Sequence, residues 1–248
     1  MLKDKVIYIV GEKIKRLVPF SNVINYSEFM QQHMVLSTEG WTVILGQGLS
    51  ALEISSVILV VSTFKSGNNK IGNSYAAAPL LSPVLVHKHE LKNTLVSVPE
   101  KVAENLYMAY LCVDDSCAEL SDHLTGSHIP GMLLIEAARQ MVTAVTEKFL
   151  KSESNNYAFI LNQLGADFKH YVFYLEVQLF YKLLEIRHGL NGAFTARAQV
   201  NFVQNNISVT SIAIKHQLMD KIVMDNYELT GVTECLGTIN YLDVENEN

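Results

Sequence analysis

Asp122-His123-Leu124-Thr125-Gly126-Ser127-His128-Ile129-Pro130-Gly131-Met132-Leu133-Leu134-Ile135-Glu136-Ala137-Ala138-Arg139-Gln140 is a polar segment with two histidines that runs through Pro-Gly into an apolar run. Proline suits the start of a helix, because its missing N–H has no partner there and its fixed φ is already helical. The pattern therefore predicts a helix from about residue 130 to about Lys151. Met132 to Val145 is apolar on almost every face, which marks a helix buried in a domain. Glu136 stands out in such surroundings. A buried carboxylate is costly unless paired and often has a raised pKa, which suits general acid/base work. Residues three and four apart share a helix face, so Glu136, Arg139 and Gln140 are equally able to satisfy one another with no catalytic role.

The flanking sequence predicts strands on either side of this helix. Pro83–His89, Leu91–Val98 and Leu106–Val113 precede it; Tyr157–Leu161, Ala166–Tyr174, Leu175–Leu184, Ala193–Val203 and Ile207–Gln217 follow. The clearest alternation sets Ala196, Ala198, Val200 and Phe202 against Arg197, Gln199 and Asn201. Asn205-Asn206 then provides a tight hairpin, since asparagine tolerates φ > 0. Strands, one long apolar helix, then more strands give an α+β class with an antiparallel sheet.

Ahead of this lies a different pattern. Lys5–Val10 and Trp41–Leu45 read as strands, Asn25–Met34 as a helix, and Ile54–Phe64 as a core segment too short to cross a bilayer. Gly46-Gln47-Gly48-Leu49-Ser50-Ala51 has the outline of a dinucleotide-binding turn, but no acidic residue stands where a ribose would need one. The reading adopted is a tight turn in a small α/β domain over residues 1–65. Residues 66–79 are rich in small polar residues and read as a linker, 80–235 as the second domain, and 236–248 as an acidic, frayed tail.

The chain has 248 residues, 49% of them hydrophobic, and a net charge of −6, enough for a full core and with no basic cluster for nucleic acid or an anionic membrane. Cys112, Cys117 and Cys235 show no zinc spacing and read as reduced thiols, so no metal site is expected. The amino terminus lacks a secretion-type apolar core, and a cytoplasmic protein is the expectation.

Asp122-His123, His128, Pro130-Gly131-Met132, Leu134, Glu136-Ala137 and Arg139-Gln140 resemble the signature of the A-factor biosynthesis (AfsA-like) hotdog family, and Val86-His87-Lys88 resembles its upstream element. The resemblance implies a hotdog fold, an antiparallel sheet wrapped around the long central helix, after the small α/β N-terminal domain. It implies an acyl-thioester substrate carried on coenzyme A or on the phosphopantetheine of an acyl carrier protein, with no other cofactor. Glu136, His128 and His123 are then the candidate catalytic residues, and Gly131, Arg139, Gln140 and His87 the candidate substrate-binding residues. The activity implied is transfer of a β-ketoacyl group to a small hydroxylated acceptor such as dihydroxyacetone phosphate. Signal-making family members carry two hotdog repeats, whereas the Pro-Gly…Glu signature occurs once here, so a hotdog dehydratase or thioesterase and a non-catalytic acyl-binding module stay open. A lone hotdog domain implies a homodimer.

Overall fold

The computed structural model describes residues 5–16, 19–38, 40–64, 70–121, 126–151 and 156–245. The N-terminal part is a succession of strands and helices: β1 (Lys5–Val10), α1 (Glu12–Lys15), β2 (Val23–Asn25), α2 (Tyr26–Leu36), β3 (Trp41–Leu45), α3 (Ala51–Ser62) and β4 (Lys70–Ile71). The four strands form a parallel sheet in the order β2-β1-β3-β4. Capping boxes start both longer helices. Asn25 Oδ1 accepts from the Glu28 amide at 2.7 Å while Glu28 Oε2 accepts from the Asn25 amide at 2.9 Å, and Ser50 and Glu53 do the same for α3.

Two expectations change here. Lys70–Ile71, inside the stretch read as a linker, adds a strand to this sheet, and Tyr75 and Ala76 are buried in its core. The run Ile54–Phe64 is core on one face only. Val57 and Val61 are buried, whereas Leu59, together with Leu52 two residues ahead of the run, faces outward.

The second part comprises β5 (Glu100–Ala103), β6 (Leu106–Tyr110), α4 (Ala118–Ser121), α5 (Gly131–Val145), β7 (Tyr157–Phe168), β8 (Gln178–His188), β9 (Phe194–Gln204), β10 (Ile207–Asp220) and α6 (Lys221–Glu245). Helix α5 continues through one π turn, Thr146–Leu150. The six strands are antiparallel neighbours in the order β5-β6-β8-β9-β10-β7, packed around α5. This is the hotdog arrangement. Alternation works as the sequence predicts: Phe194, Ala196, Ala198, Val200 and Phe202 face the core, and the small alanines of β9 leave room for a helix that is itself apolar nearly all round. Asn205 and Asn206 both have positive φ, 51° and 62°, as a two-residue hairpin twisted with its strands requires.

Several predicted strands are placed differently. Pro83–His89 and Leu91–Val98 are not strands. Pro83–Val86 and Leu91–Asn93 are 3-10 turns, and only isolated bridges at Leu80–Ser97 and Val96–Leu111 remain. Pro83 fixes its own φ, and His87 ends the first turn in the left-handed region at φ 57°, so the alternation cannot extend into a ladder. Tyr157–Leu161 and the start of Ala166–Tyr174 fuse into the single strand β7, and residues 169–177 form a loop. The tail read as frayed continues α6 to Glu245, and residues 246–248 lie outside the described residues.

The Gly46–Gly48 turn joins the two parts. Gln47 is fully buried; its Nε2 donates to the Leu111 and Leu175 carbonyls at 3.0 and 3.2 Å, and its Oε1 accepts from the Val113 amide at 2.7 Å. The backbone amides of Gly46, Gln47 and Gly48 donate to Ile9, Tyr174 and Val113. A Cβ on Gly46 would lie 2.7 Å from the Tyr174 carbonyl, so only glycine fits. With its amides used in this way the turn has none to offer a pyrophosphate, in line with the tight-turn reading.

Candidate functional site

Helix α5 starts where the chain leaves the Gly126–Pro130 loop. Pro130 occupies the N-cap, one position earlier than the sequence suggested, and no side chain caps the helix. The Ile129 amide donates to the Val172 carbonyl at 2.7 Å and His128 bridges Phe173, which fixes the approach to the helix against the 169–177 loop. The His128 ring lies 4.6 Å from the ring of Tyr171. The Phe168 ring stands over Gly131, where an added Cβ would come within 3.1 Å of it. Met132, expected in the core, is exposed on the same end of the helix.

The loop ahead of this end reaches, at Ser127, an apolar cavity of about 460 Å³, with Tyr8, Val10, Phe20 and Val23 on its N-terminal side and Ser127 and Phe173 on its hotdog side; no residue of α5 lines it. The uncapped N–H groups and the partial positive charge of a helix N-terminus suit an oxygen that is developing negative charge. An apolar wall suits an acyl chain. The chain thus sets His128 between the start of α5 at Gly131 and the cavity-lining residues Ser127 and Phe173. His123 lies outside the described residues.

One turn further on, α5 faces the Pro83–Asn93 segment. Glu136 accepts from Arg139 through both oxygens, Nε to Oε2 at 2.8 Å and Nη2 to Oε1 at 2.7 Å, and also from Gln140 Nε2 at 3.0 Å. Lys88 reaches Glu136 at 3.0 Å and Glu119 at 3.2 Å. Arg139 also donates to the Val86 carbonyl, and Gln140 donates to the Asn93 carbonyl while accepting from the Leu95 amide. Here the structure departs from the expectation of a raised pKa. Burial pushes the Glu136 carboxyl up, but hydrogen bonds from Arg139 and Gln140, the Arg139 charge and the bond from Lys88 outweigh it and hold the pKa down at about 2. For Lys88, burial acts downward and its carboxylate partners prevail, leaving the pKa raised. Glu136, Arg139 and Gln140 therefore stand together as predicted, as an ionised cluster that fastens the helix to the 83–95 segment.

His87 lies further along the same face, exposed, with Nε2 3.9 Å from Glu147 Oε1 and its ring edge-on to Phe159 at 6.3 Å. Phe159 also stacks at 5.2 Å on His216, a residue the sequence reading passed over. His216 is fully buried, its Nε2 3.1 Å from Thr146 Oγ1, and desolvation lowers its pKa to about 4. The signal for it lay in the alternation of β10, which turns Ile212, Ile214, His216 and Leu218 inward. All three cysteines are free thiols, Cys112 and Cys117 buried and Cys235 exposed.

The model of the A-factor biosynthesis hotdog domain matches residues 74–215, more than half of the chain. The chain belongs to the AfsA hotdog family. The matched region includes Lys88, His128 and the whole Glu136 cluster, and leaves out β1 to β4 and α6. No curated protein sequence matches the chain. Among solved structures it is similar to a thioesterase from Pseudomonas aeruginosa, at 10% identity over 50% of this chain and 81% of that one, with a TM-score of 0.38. It is also similar to a thioesterase from Staphylococcus aureus, at 12% identity over 50% and 93%, with a TM-score of 0.39. The PaaI protein of E. coli, from a phenylacetic acid degradation operon, gives 16% identity over 48% and 75%, with a TM-score of 0.34. For an AfsA domain the hotdog sheet and its central helix are the expected frame. No helix among the described residues is long and apolar enough to cross a membrane.

Proposed function

We propose that this AfsA-family chain is a cytoplasmic acyltransferase that moves a β-ketoacyl group from a coenzyme A or acyl-carrier-protein thioester to a small hydroxylated acceptor. The observation that supports the reading is the placing of His128, which bridges the cavity-lining Phe173 and follows the cavity-lining Ser127, on the loop that leads into the uncapped α5. In this reading the acyl chain lies against Val10, Phe20, Val23 and Phe173, and the amides at the start of α5 bind the thioester oxygen. His128 takes the proton from the acceptor hydroxyl as that oxygen attacks the thioester carbon; the tetrahedral adduct then expels the thiolate, which leaves with a proton. Glu136, ionised and bonded on every side, acts as a positioning residue that holds Lys88 and Arg139. Lys88 and Arg139, with His87 nearby, provide positive charge for a phosphate on the acceptor or the carrier.

The low Glu136 pKa weighs against a dehydratase, which would need a helix acid with a proton to give at neutral pH. Hydrolysis is the second reading, because a water in place of the acceptor needs nothing beyond the same oxyanion site and base. Strand β7 is an edge strand that carries exposed Leu161 and Phe168, the latter over Gly131 next to exposed Met132, and an unpaired edge of this kind suits a second copy of the chain. A homodimer formed there sets a second chain beside the start of α5.

The test is mass spectrometry of the purified chain with β-ketoacyl and β-hydroxyacyl thioesters, with and without dihydroxyacetone phosphate, next to a His128→Ala control. An ester that requires both the acceptor and His128 supports the transferase. Free acid regardless of acceptor means a thioesterase, loss of water from the β-hydroxyacyl substrate means a dehydratase, and no product in any mixture means a binding module.

A further inference from the structure

Tyr75 and Thr94 are 2% and 1% exposed, and the hydroxyls of both have no hydrogen-bond partner among the described residues. A buried hydroxyl in that position has lost its hydration and gained nothing in exchange. Both residues belong to the wall of one cavity. It holds about 450 Å³ and lies between α3, outside the AfsA domain, and residues inside that domain. Ile54, Ser55 and Ile58 line it from α3 and residues 75–80 from the chain beyond, and it shares no residue with the cavity at Ser127 and Phe173. Burial raises the Tyr75 pKa, and Cys112 and Asp114 raise it further, so the hydroxyl lies towards the part of the wall that these two form. The Thr94 side is fixed in advance, because the Asn93 carbonyl and the Leu95 amide on either side of it are both bonded to Gln140.

We propose that this cavity is a second binding site, for a neutral and mainly apolar small molecule whose oxygen atoms accept from the Tyr75 and Thr94 hydroxyls. A preformed, largely apolar cavity with a few placed polar groups is the usual form of such a site, and the junction of two parts of a chain is a usual place for it. An unpaired hydroxyl has a proton to give to a carbonyl, ether or hydroxyl oxygen. The two charged residues of the wall already have partners. Lys92 Nζ is 2.9 Å from Glu90, and Asp114 Oδ1 accepts from the Ser116 amide and hydroxyl at 2.7 and 2.6 Å. Neither charge awaits a counter-ion, which selects a neutral ligand over an ionic one. The site does not depend on the reaction assigned to the chain.

The experiment is isothermal titration calorimetry of the full chain with benzylacetone, with its oxygen-free counterpart butylbenzene and with the anion phenylbutyrate, beside the variants Tyr75→Phe/Thr94→Val and Ser55→Trp. The wild-type chain should bind the ketone more tightly than either of the others. The double variant keeps the shape of the wall and deletes only hydroxyls that bond nothing inside the protein. It should therefore melt no lower than the wild type and bind butylbenzene as before, while its affinity for the ketone falls about tenfold or more, the scale of one or two lost hydrogen bonds. Ser55 is exposed on α3, so Ser55→Trp should fold, and its ring should close the cavity to both neutral ligands. Absence of ketone binding to the wild type overturns the proposal, as does an anion bound as tightly as the ketone. Ketone affinity that survives either variant places the ligand elsewhere and overturns it too, and a double variant that melts lower shows that the hydroxyls serve the fold rather than a ligand.

Discussion

The Glu136 carboxylate is gripped by the Arg139 guanidinium on both oxygens, at 2.8 and 2.7 Å, one helical turn apart on α5. Removing the charge while keeping the shape tests what that grip does. In Glu136→Gln, Arg139 and Lys88 lose their shared partner in a half-buried place, with a stability loss of about 2 kcal/mol, below the range for fully buried pairs because water still reaches the site. For a chain of this size that corresponds to a fall of roughly 4–8 °C in midpoint, read by calorimetry. Turnover measured well below the midpoint should persist in the variant. A near-total loss of turnover in a folded Glu136→Gln protein would show that the carboxylate itself takes part in the chemistry.

His128 is placed differently, half-buried against Tyr171 and off the packed face of α5. His128→Ala should leave the thermal midpoint nearly unchanged and reduce kcat on the thioester by about 100-fold or more, the usual scale for a lost general base. A fall in stability without a fall in kcat would give His128 a structural role only.

Gln47 is the residue on which the junction of the two parts depends. Gln47→Ala leaves the Val113 amide and the Leu111 and Leu175 carbonyls without their side-chain partner inside the protein and opens a cavity as well. The cost should be about 3 kcal/mol by chemical denaturation, since buried groups left unpaired lose their full desolvation energy. A loss below about 1 kcal/mol would mean that water enters and replaces the amide, as it does at open polar sites.

These three residues also show what the sequence made legible. Glu136 with Arg139 and Gln140 could be read from spacing alone, because the helix itself brings positions three and four apart together. The sign of the Glu136 shift could not, because Lys88 arrives from a segment 48 residues earlier in sequence. The same distance in sequence explains the misplaced strands at 83–98. Their alternation was real, but Gln140, far along the chain, takes the Leu95 amide and the Asn93 carbonyl that a ladder would have used. Strand β9 and the Asn205-Asn206 hairpin were legible because both are set by neighbours in sequence. Gln47 gave no sign, since a glutamine between two glycines looks like any surface turn until the second domain closes over it.

Half-buried Asp115 and fully buried His216 contribute opposite slopes, and separating them gives a sharp expectation for stability against pH. Asp115 accepts from the Lys13 amide at 2.8 Å, yet burial dominates and lifts its pKa from 3.8 to about 6, so the folded state holds this proton more tightly than the unfolded chain. Its contribution is complete below pH 3.8 and is lost as pH rises through about 6. His216 has the opposite sign. Its pKa drops from 6.5 to about 4, so the unfolded chain binds the proton more tightly, and stability is lost as pH falls from 6.5 towards 4. Between about pH 4.5 and 6 the two slopes oppose each other, and the wild-type midpoint should be nearly level. His216→Phe leaves the Asp115 slope alone, so its midpoint should fall as pH rises through that window. Asp115→Asn leaves the His216 slope alone, so its midpoint should climb. Calorimetry at half-unit pH steps separates the cases, and parallel curves for the wild type and both variants would mean that neither group titrates in the folded chain as its surroundings dictate.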